Sequence, residues 1–224
     1  MKKLSLTGII ILVLLILSAC FKEEGTEDYE SRELDNIRSI EIDYGSTDIT
    51  LESVETDSLE VMLMLKDNGP GIRLEEKEEK LLISVRSDIT RLLKINKMPK
   101  LHVKIPSEYK GDIIFKGSSG KLRGENLTLS ADHLEVNGSS GGVSLDFQDF
   151  QSNLFVKATS GNIDIKLDDA NPDVAWLVQS NSGNRNLSKM FIEKEKEKQE
   201  TKGVLGSGKY LIELKTSSGN IRLE

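Results

Sequence analysis

The sequence predicts an all-β chain folded as a β-solenoid of about 20–22 residues per coil. Three observations carry this reading. A Ser-Ser-Gly-like corner recurs at Ser118-Ser119-Gly120, Ser139-Ser140-Gly141, Thr159-Ser160-Gly161, Asn181-Ser182-Gly183 and Ser217-Ser218-Gly219. The corner glycines Gly120, Gly141, Gly161, Gly183 and Gly219 are separated by 21, 20, 22 and 36 residues, and a nearly fixed period of this size marks a repeat architecture. Apolar residues fall on every second position to both sides of each corner, which is the period of a strand with one buried face.

The chain opens differently. Met1-Lys2-Lys3 is a short positive start, and Gly8–Leu17 is an uncharged apolar run. That run is too short to span a bilayer, which takes about 20 residues, and it has the length of a signal-peptide core. Leu17-Ser18-Ala19-Cys20 follows. This tetrapeptide resembles the lipobox of bacterial lipoproteins. The resemblance implies that residues 1–19 are removed as a signal peptide and that Cys20, joined to diacylglycerol, begins the mature chain. Two acyl chains are enough for stable anchoring, so the expected address is the extracytoplasmic face of the cell membrane. Cys20 is the single cysteine, which excludes an intramolecular disulfide. Residues 20–36 carry Glu23, Glu24, Glu27, Asp28, Glu30, Glu33 and Asp35 with little apolar content. They are expected to form a flexible acidic tether.

Residues 37–224 form the repeat domain. Its first motif, Ile40–Leu51, matches the last, Leu211–Leu223, at its apolar positions. It departs at Thr47, where a corner glycine is expected, and at Tyr44, where the other motifs hold a small residue (Gly117, Gly138, Ala158, Ser180, Thr216). Leu59–Leu65, Leu81–Val85 and Leu101–Ile105 read as further strands, with Asn68-Gly69-Pro70-Gly71 and Pro106 as turn punctuation. The corner glycines are expected to adopt positive φ. Outward positions are mainly polar, and Ile114, Phe155 and Leu177 break that rule, which reads as contact with a second layer or as a patch. The longer gap before Gly219 holds a charged insertion at about 188–203, with Glu193–Lys198 alternating in sign. It reads as a solvated loop or a short exposed helix. A second geometry fits the same pattern: each motif as a hairpin, packed into an antiparallel β-sandwich.

Composition narrows function. The net charge is −7, becoming −9 once Lys2 and Lys3 are removed. This argues against nucleic acid, whose phosphates are bound by clustered Lys and Arg. His102 and His133 stand alone, with no metal-ligand spacing around them. The corner serines lack a Gly-x-Ser-x-Gly elbow and serve turn formation. Asp146, Asp149, Asp164, Asp168 and Asp169 stack only as a solvated face beside Lys166. The alternative is a polysaccharide-active enzyme using paired carboxylates, or a calcium-holding patch. Asn126-Leu127-Thr128 and Asn186-Leu187-Ser188 match the glycosylation pattern by chance. No catalytic residue, cofactor or metal ligand is assigned.

The Ser-Ser-Gly-Asn-Ile-x-Leu units, with Leu101-His102-Val103-Lys104-Ile105-Pro106 ahead of them, resemble a bacterial family of β-strand repeats labelled "putative adhesin", which includes envelope-stress operon proteins. The resemblance covers roughly Ile37–Leu223 and implies a pattern like that of right-handed parallel β-helices, with no catalytic residues to carry over. Arg185, at an inward position, departs from the pattern. The expected function is non-enzymatic: a lipid-anchored surface that binds an envelope polymer or a protein. An accessory role in envelope-stress signalling, through Glu193–Lys198, is a further alternative. The last motif is expected to be the final coil, with its far edge uncovered.

Overall fold

The computed structural model describes residues 26–65, 71–85, 99–169, 171–191 and 195–224. The signal peptide, Cys20, and the Glu193 and Lys194 end of the insertion lie outside the described residues. No helix occurs among those that are described. The strands run in order as β1 (Thr26–Glu33), β2 (Ser39–Gly45), β3 (Asp48–Val54), β4 (Ser58–Leu65), β5 (Ile72–Lys77), β6 (Lys80–Val85) and β7 (Lys100–Pro106). β8 (Asp112–Gly117), β9 (Leu122–Leu129), β10 (His133–Asn137), β11 (Val143–Phe150), β12 (Asn153–Ala158) and β13 (Ile163–Leu167) follow. The chain ends with β14 (Val174–Ser180), β15 (Arg185–Leu187), β16 (Glu195–Lys196), β17 (Glu200–Val204), β18 (Tyr210–Thr216) and β19 (Ile221–Leu223).

These strands form two sheets, one of nine strands ordered β1-β4-β7-β3-β9-β11-β13-β19-β15 and one of ten ordered β16-β17-β14-β18-β12-β10-β8-β2-β6-β5. Each corner motif gives its first strand to the ten-stranded sheet and its second to the nine-stranded sheet. Successive motifs pair in parallel and in register, as Leu134↔Leu154 and Val136↔Val156 in one sheet and Val143↔Ile163 and Leu145↔Ile165 in the other. The hairpin sandwich is therefore ruled out, because the two strands of a motif do not pair with each other. The apolar residues of every motif point between the sheets, where Ile113, Leu134, Leu154, Ile212, Ile163 and Ile221 are buried.

The corner glycines keep the predicted place for a different reason. Among the described glycines, positive φ occurs at Gly45, Gly206 and Gly208, and not at the five corner glycines. Instead the corners lie on one another. A Cβ on Gly120 would collide with the Thr47 carbonyl oxygen, one on Gly141 with that of Gly120, and one on Gly161 with that of Gly141. The series continues through Gly219 against Gly161 and Gly183 against Gly219. Tyr44 likewise fills the space that Gly117 leaves open. Asparagines just after the glycines extend this ladder: the Asn162 side-chain oxygen accepts the Asn220 N–H at 3.0 Å, and that of Asn220 accepts the Asn184 N–H at 2.9 Å.

The last motif is not the final coil. β18 pairs in parallel with both β12 and β14, and β19 with both β13 and β15. It is seated between the third and fourth corner motifs. Its inward residues Ile212, Leu214, Ile221 and Leu223 suit an interior place with neighbours on both sides. Arg185 suits the end: its guanidinium donates to the Glu197 and Lys198 carbonyls at 3.2 Å each.

Where it is described, the insertion holds no helix, and beyond the turns at 188–191 and 197–199 it forms a hairpin. β17 pairs antiparallel with β14, and β16 with β17. Thr201 and Gly203 turn inward while Glu200, Lys202 and Val204 stay half-buried. This hairpin covers the edge of β14 in the ten-stranded sheet, and Phe191 closes the core end edge-on against Trp176, 6.1 Å between ring centroids. The turn into β18 is held by Asp173, whose carboxylate accepts the N–H groups of Ser207 (2.6 Å), Gly208 (2.7 Å) and Lys209 (3.2 Å).

At the other end, part of the expected tether is a strand. β1 pairs antiparallel with β4 along its whole length. Its carboxylates fit an edge strand, where charge blocks pairing with a further chain. The Asp28 carboxylate also accepts the Ile72 N–H at 2.6 Å, stitching β1 to β5 across the two sheets.

Candidate functional site

The outer face of the ten-stranded sheet carries the most ordered pattern of exposed chemistry. In-register pairing aligns outward residues into rows that cross the strands. The central row reads Leu82, Glu41, Ile114, Glu135, Phe155, Glu213, Leu177. Apolar and acidic side chains thus alternate strand by strand. The three residues that broke the polar rule, Ile114, Phe155 and Leu177, fall in this one row. With strands about 4.8 Å apart, like residues recur about every 9.6 Å. A neighbouring row reads Lys116, Asn137, Lys157, Lys215, Gln179.

Electrostatics fix this surface. The Glu41 carboxylate meets Lys80 at 2.6 Å and Lys116 at 2.7 Å. Burial raises its pKa, but the two lysines outweigh burial and hold it below the usual carboxylate value. Glu213 pairs with Lys215 at 2.7 Å, and the Asn137 amide donates to Glu135 at 2.6 Å. His133 stacks on Phe155, 6.0 Å between centroids at 27°, while its Nδ1 lies 2.9 Å from an Asp112 oxygen. A groove of about 570 Å³ follows this face, with Ile114, Phe155 and Val156 as its apolar floor and Glu135, Lys157 and Glu213 on its sides.

The carboxylates weighed for catalysis lie elsewhere and are tied down. Lys166 clamps Asp146 at 3.2 Å and Asp168 at 2.6 Å on the nine-stranded sheet. Asp164 stands opposite Arg222 in register, Asp149 accepts from the Gln151 amide, and Asp169 accepts the Asn171 N–H. Among the described residues no three His, Cys, Asp or Glu side chains gather as metal ligands would. His102 sits outward on β7, between Met62 and Thr50. Asn126 and Asn186 are exposed. The corner serines serve the ladder: the Ser140 N–H donates to the Ser118 carbonyl at 2.7 Å, and the Ser218 N–H to that of Thr159 at 2.9 Å. The asparagine ladder was missed, although the recurring Gly-Asn after Ser or Thr in three corners was its signal.

Comparison with known proteins agrees with this architecture. A solved structure described as "a putative cell adhesion protein" from Clostridium sporogenes is 17% identical, with a TM-score of 0.69, covering 89% of this chain and 98% of that one. Another, described as "a putative adhesin" from Bacteroides fragilis, is 14% identical with a TM-score of 0.33, covering 89% and 97%. The first shares the fold, and the second is too distant in shape to carry an argument. No curated protein matches the chain. The family read from the repeats is borne out, since the model of the family described as Toastrack DUF4097 matches residues 126–224.

Proposed function

We propose that this chain is a non-enzymatic, lipid-anchored protein of the extracytoplasmic membrane face. Its ten-stranded sheet presents an adhesin-like surface to an envelope polymer or a protein partner. The observation that carries the reading is the central row, in which apolar teeth alternate with carboxylates over seven of the ten strands. Each contact on such a surface is weak, and an extended ligand engages several at once. The stacked repeats are read as a right-handed solenoid, which keeps that face flat and regular. The description of the Clostridium sporogenes structure as a cell adhesion protein supports the same direction.

The test is binding of the mature domain to isolated cell envelopes of its host. Phe155→Ser combined with Ile114→Ser on the outer face should weaken binding at least tenfold without lowering the unfolding midpoint appreciably. Unchanged binding would remove this face from consideration. Glycan hydrolysis that disappears with Asp146→Asn, Asp164→Asn and Asp168→Asn would replace the reading with an enzyme. The anchor is tested separately: Cys20→Ala should leave the protein unprocessed or release it from membranes, and unchanged lipid labelling would refute it.

A further inference from the structure

On the side of the stack opposite the Ser-Ser-Gly corners, three connections between the sheets and the β3–β4 turn line a second cleft of about 650 Å³. It is built by the turns leading into β2, β4, β8 and β10. Asp35, Asp57, Glu108, Asp112 and Asp132 line it, together with Tyr109. Arg38 and Lys110 are the cations of the lining, and Arg38 is already held by Glu79 at 3.0 Å. The carboxylates therefore leave a net negative field.

Tyr109 supplies an independent sign of a ligand. It is only 7% exposed, and its hydroxyl is buried without a hydrogen-bond partner. A buried polar group left unpaired costs about 1–3 kcal/mol. The hydroxyl occupies the notch left by Gly111, where a Cβ would collide with it and with the Arg38 carbonyl oxygen. Gly111 and Arg38 are both on the cleft wall. Burial raises the pKa of this phenol, and Asp112 and Asp132 raise it further, so both carboxylates lie within electrostatic reach. The hydroxyl stays protonated, able to accept a hydrogen bond from a cation while donating to a carboxylate.

We infer that this cleft binds an organic polycation, a chain bearing several protonated amines, with the Tyr109 hydroxyl as a fixed polar contact and the surrounding carboxylates as counter-charges. The spread of the carboxylates decides against a point ion. They come from four separate turns, and among the described residues no three of them converge as metal ligands do. Spaced ammonium groups match spaced carboxylates. The aliphatic segments between them match the apolar parts of the lining, Leu34, Ile37 and Pro106.

Calorimetric titration of the mature protein at low salt tests the inference, with spermine in one arm and a trilysine peptide in the other. Saturable one-site binding that weakens with added salt is expected in at least one arm. Tighter spermine binding assigns the site to free polyamines, and tighter trilysine binding to a basic protein segment. Asp57→Asn with Asp132→Asn should weaken binding at least tenfold. Tyr109→Phe should weaken it several-fold while leaving the thermal midpoint unchanged or higher, because it removes a buried unpaired hydroxyl. A merely orphaned hydroxyl would give the higher midpoint with binding unchanged, and that result overturns the proposal. So does the absence of saturable binding in both arms, or complete displacement by equimolar calcium.

Discussion

A single carbon atom decides whether two corners can lie on each other. At Gly141 any Cβ meets the carbonyl of the corner before it, and backbone cannot move aside as a flexible side chain can. Gly141→Ala should cost about 1–3 kcal/mol, the usual range for overpacking a tight site. Its neighbour is the control. A Cβ on Gly142 would meet only the Asn162 carbonyl oxygen, at 3.6 Å, so Gly142→Ala should change stability by less than about 0.5 kcal/mol. Urea unfolding of the two variants checks both. The sequence marked these glycines as corners, but its reason was conformational freedom. What stands above a residue is set by register between coils, and one repeat read alone does not contain it. Glu41 gives a second prediction at this scale. Its folded pKa lies below the ordinary value of 4.5, so its stabilising contribution is present above that value and fades as pH falls through the folded pKa. Glu41→Gln should therefore lower the unfolding midpoint at pH 7, and the difference from wild type should shrink in acid.

Regular strands were legible wherever alternation was clean, as in Leu134-Glu135-Val136 or Ile163-Asp164-Ile165. The strands that escaped notice are β1, β5 and the β16–β17 hairpin, and all three lie at sheet edges. An edge strand needs backbone pairing on one side and tolerates charge on the other, so its sequence resembles a solvated loop. Arg185 looked like a fault in a coil and is instead a tie between the last coil and that hairpin. Arg185→Ala should speed hydrogen exchange over Glu195–Val204 with a global change of about 1 kcal/mol or less. Phe191→Ala should act differently. It removes the ring that closes the core against Trp176, and about 3 kcal/mol should be lost from the whole domain.

Across the molecule, the solenoid-like period correctly gave parallel stacking of motifs and failed on their order. Equal spacing of corners says that coils are alike and nothing about which neighbours touch. The gap between Gly183 and Gly219 was the signal, because it leaves enough chain to travel round β14 and return to a seat beside β12. The outward row of Ile114, Phe155 and Leu177 was visible only as three exceptions, since alignment across strands requires the register. Deleting residues 209–224 tests the order. A sequential stack would lose one coil and keep the rest. Here the deletion empties an interior seat and parts β12 from β14, so cooperative unfolding should disappear from the calorimetric trace.

The seat that Tyr210–Leu223 fills bears on how the chain folds in time. The fourth corner motif is synthesised before its final neighbour exists, so β14 has no lasting partner on its β18 side until Tyr210–Thr216 has emerged. Closure then depends on a late, non-local pairing, which slows folding. The complete stack forms only once the whole chain is available, whether at the ribosome or beyond a membrane. A nascent chain arrested before Tyr210 would display the bare edges of β12 and β14, the state of this protein most open to aggregation.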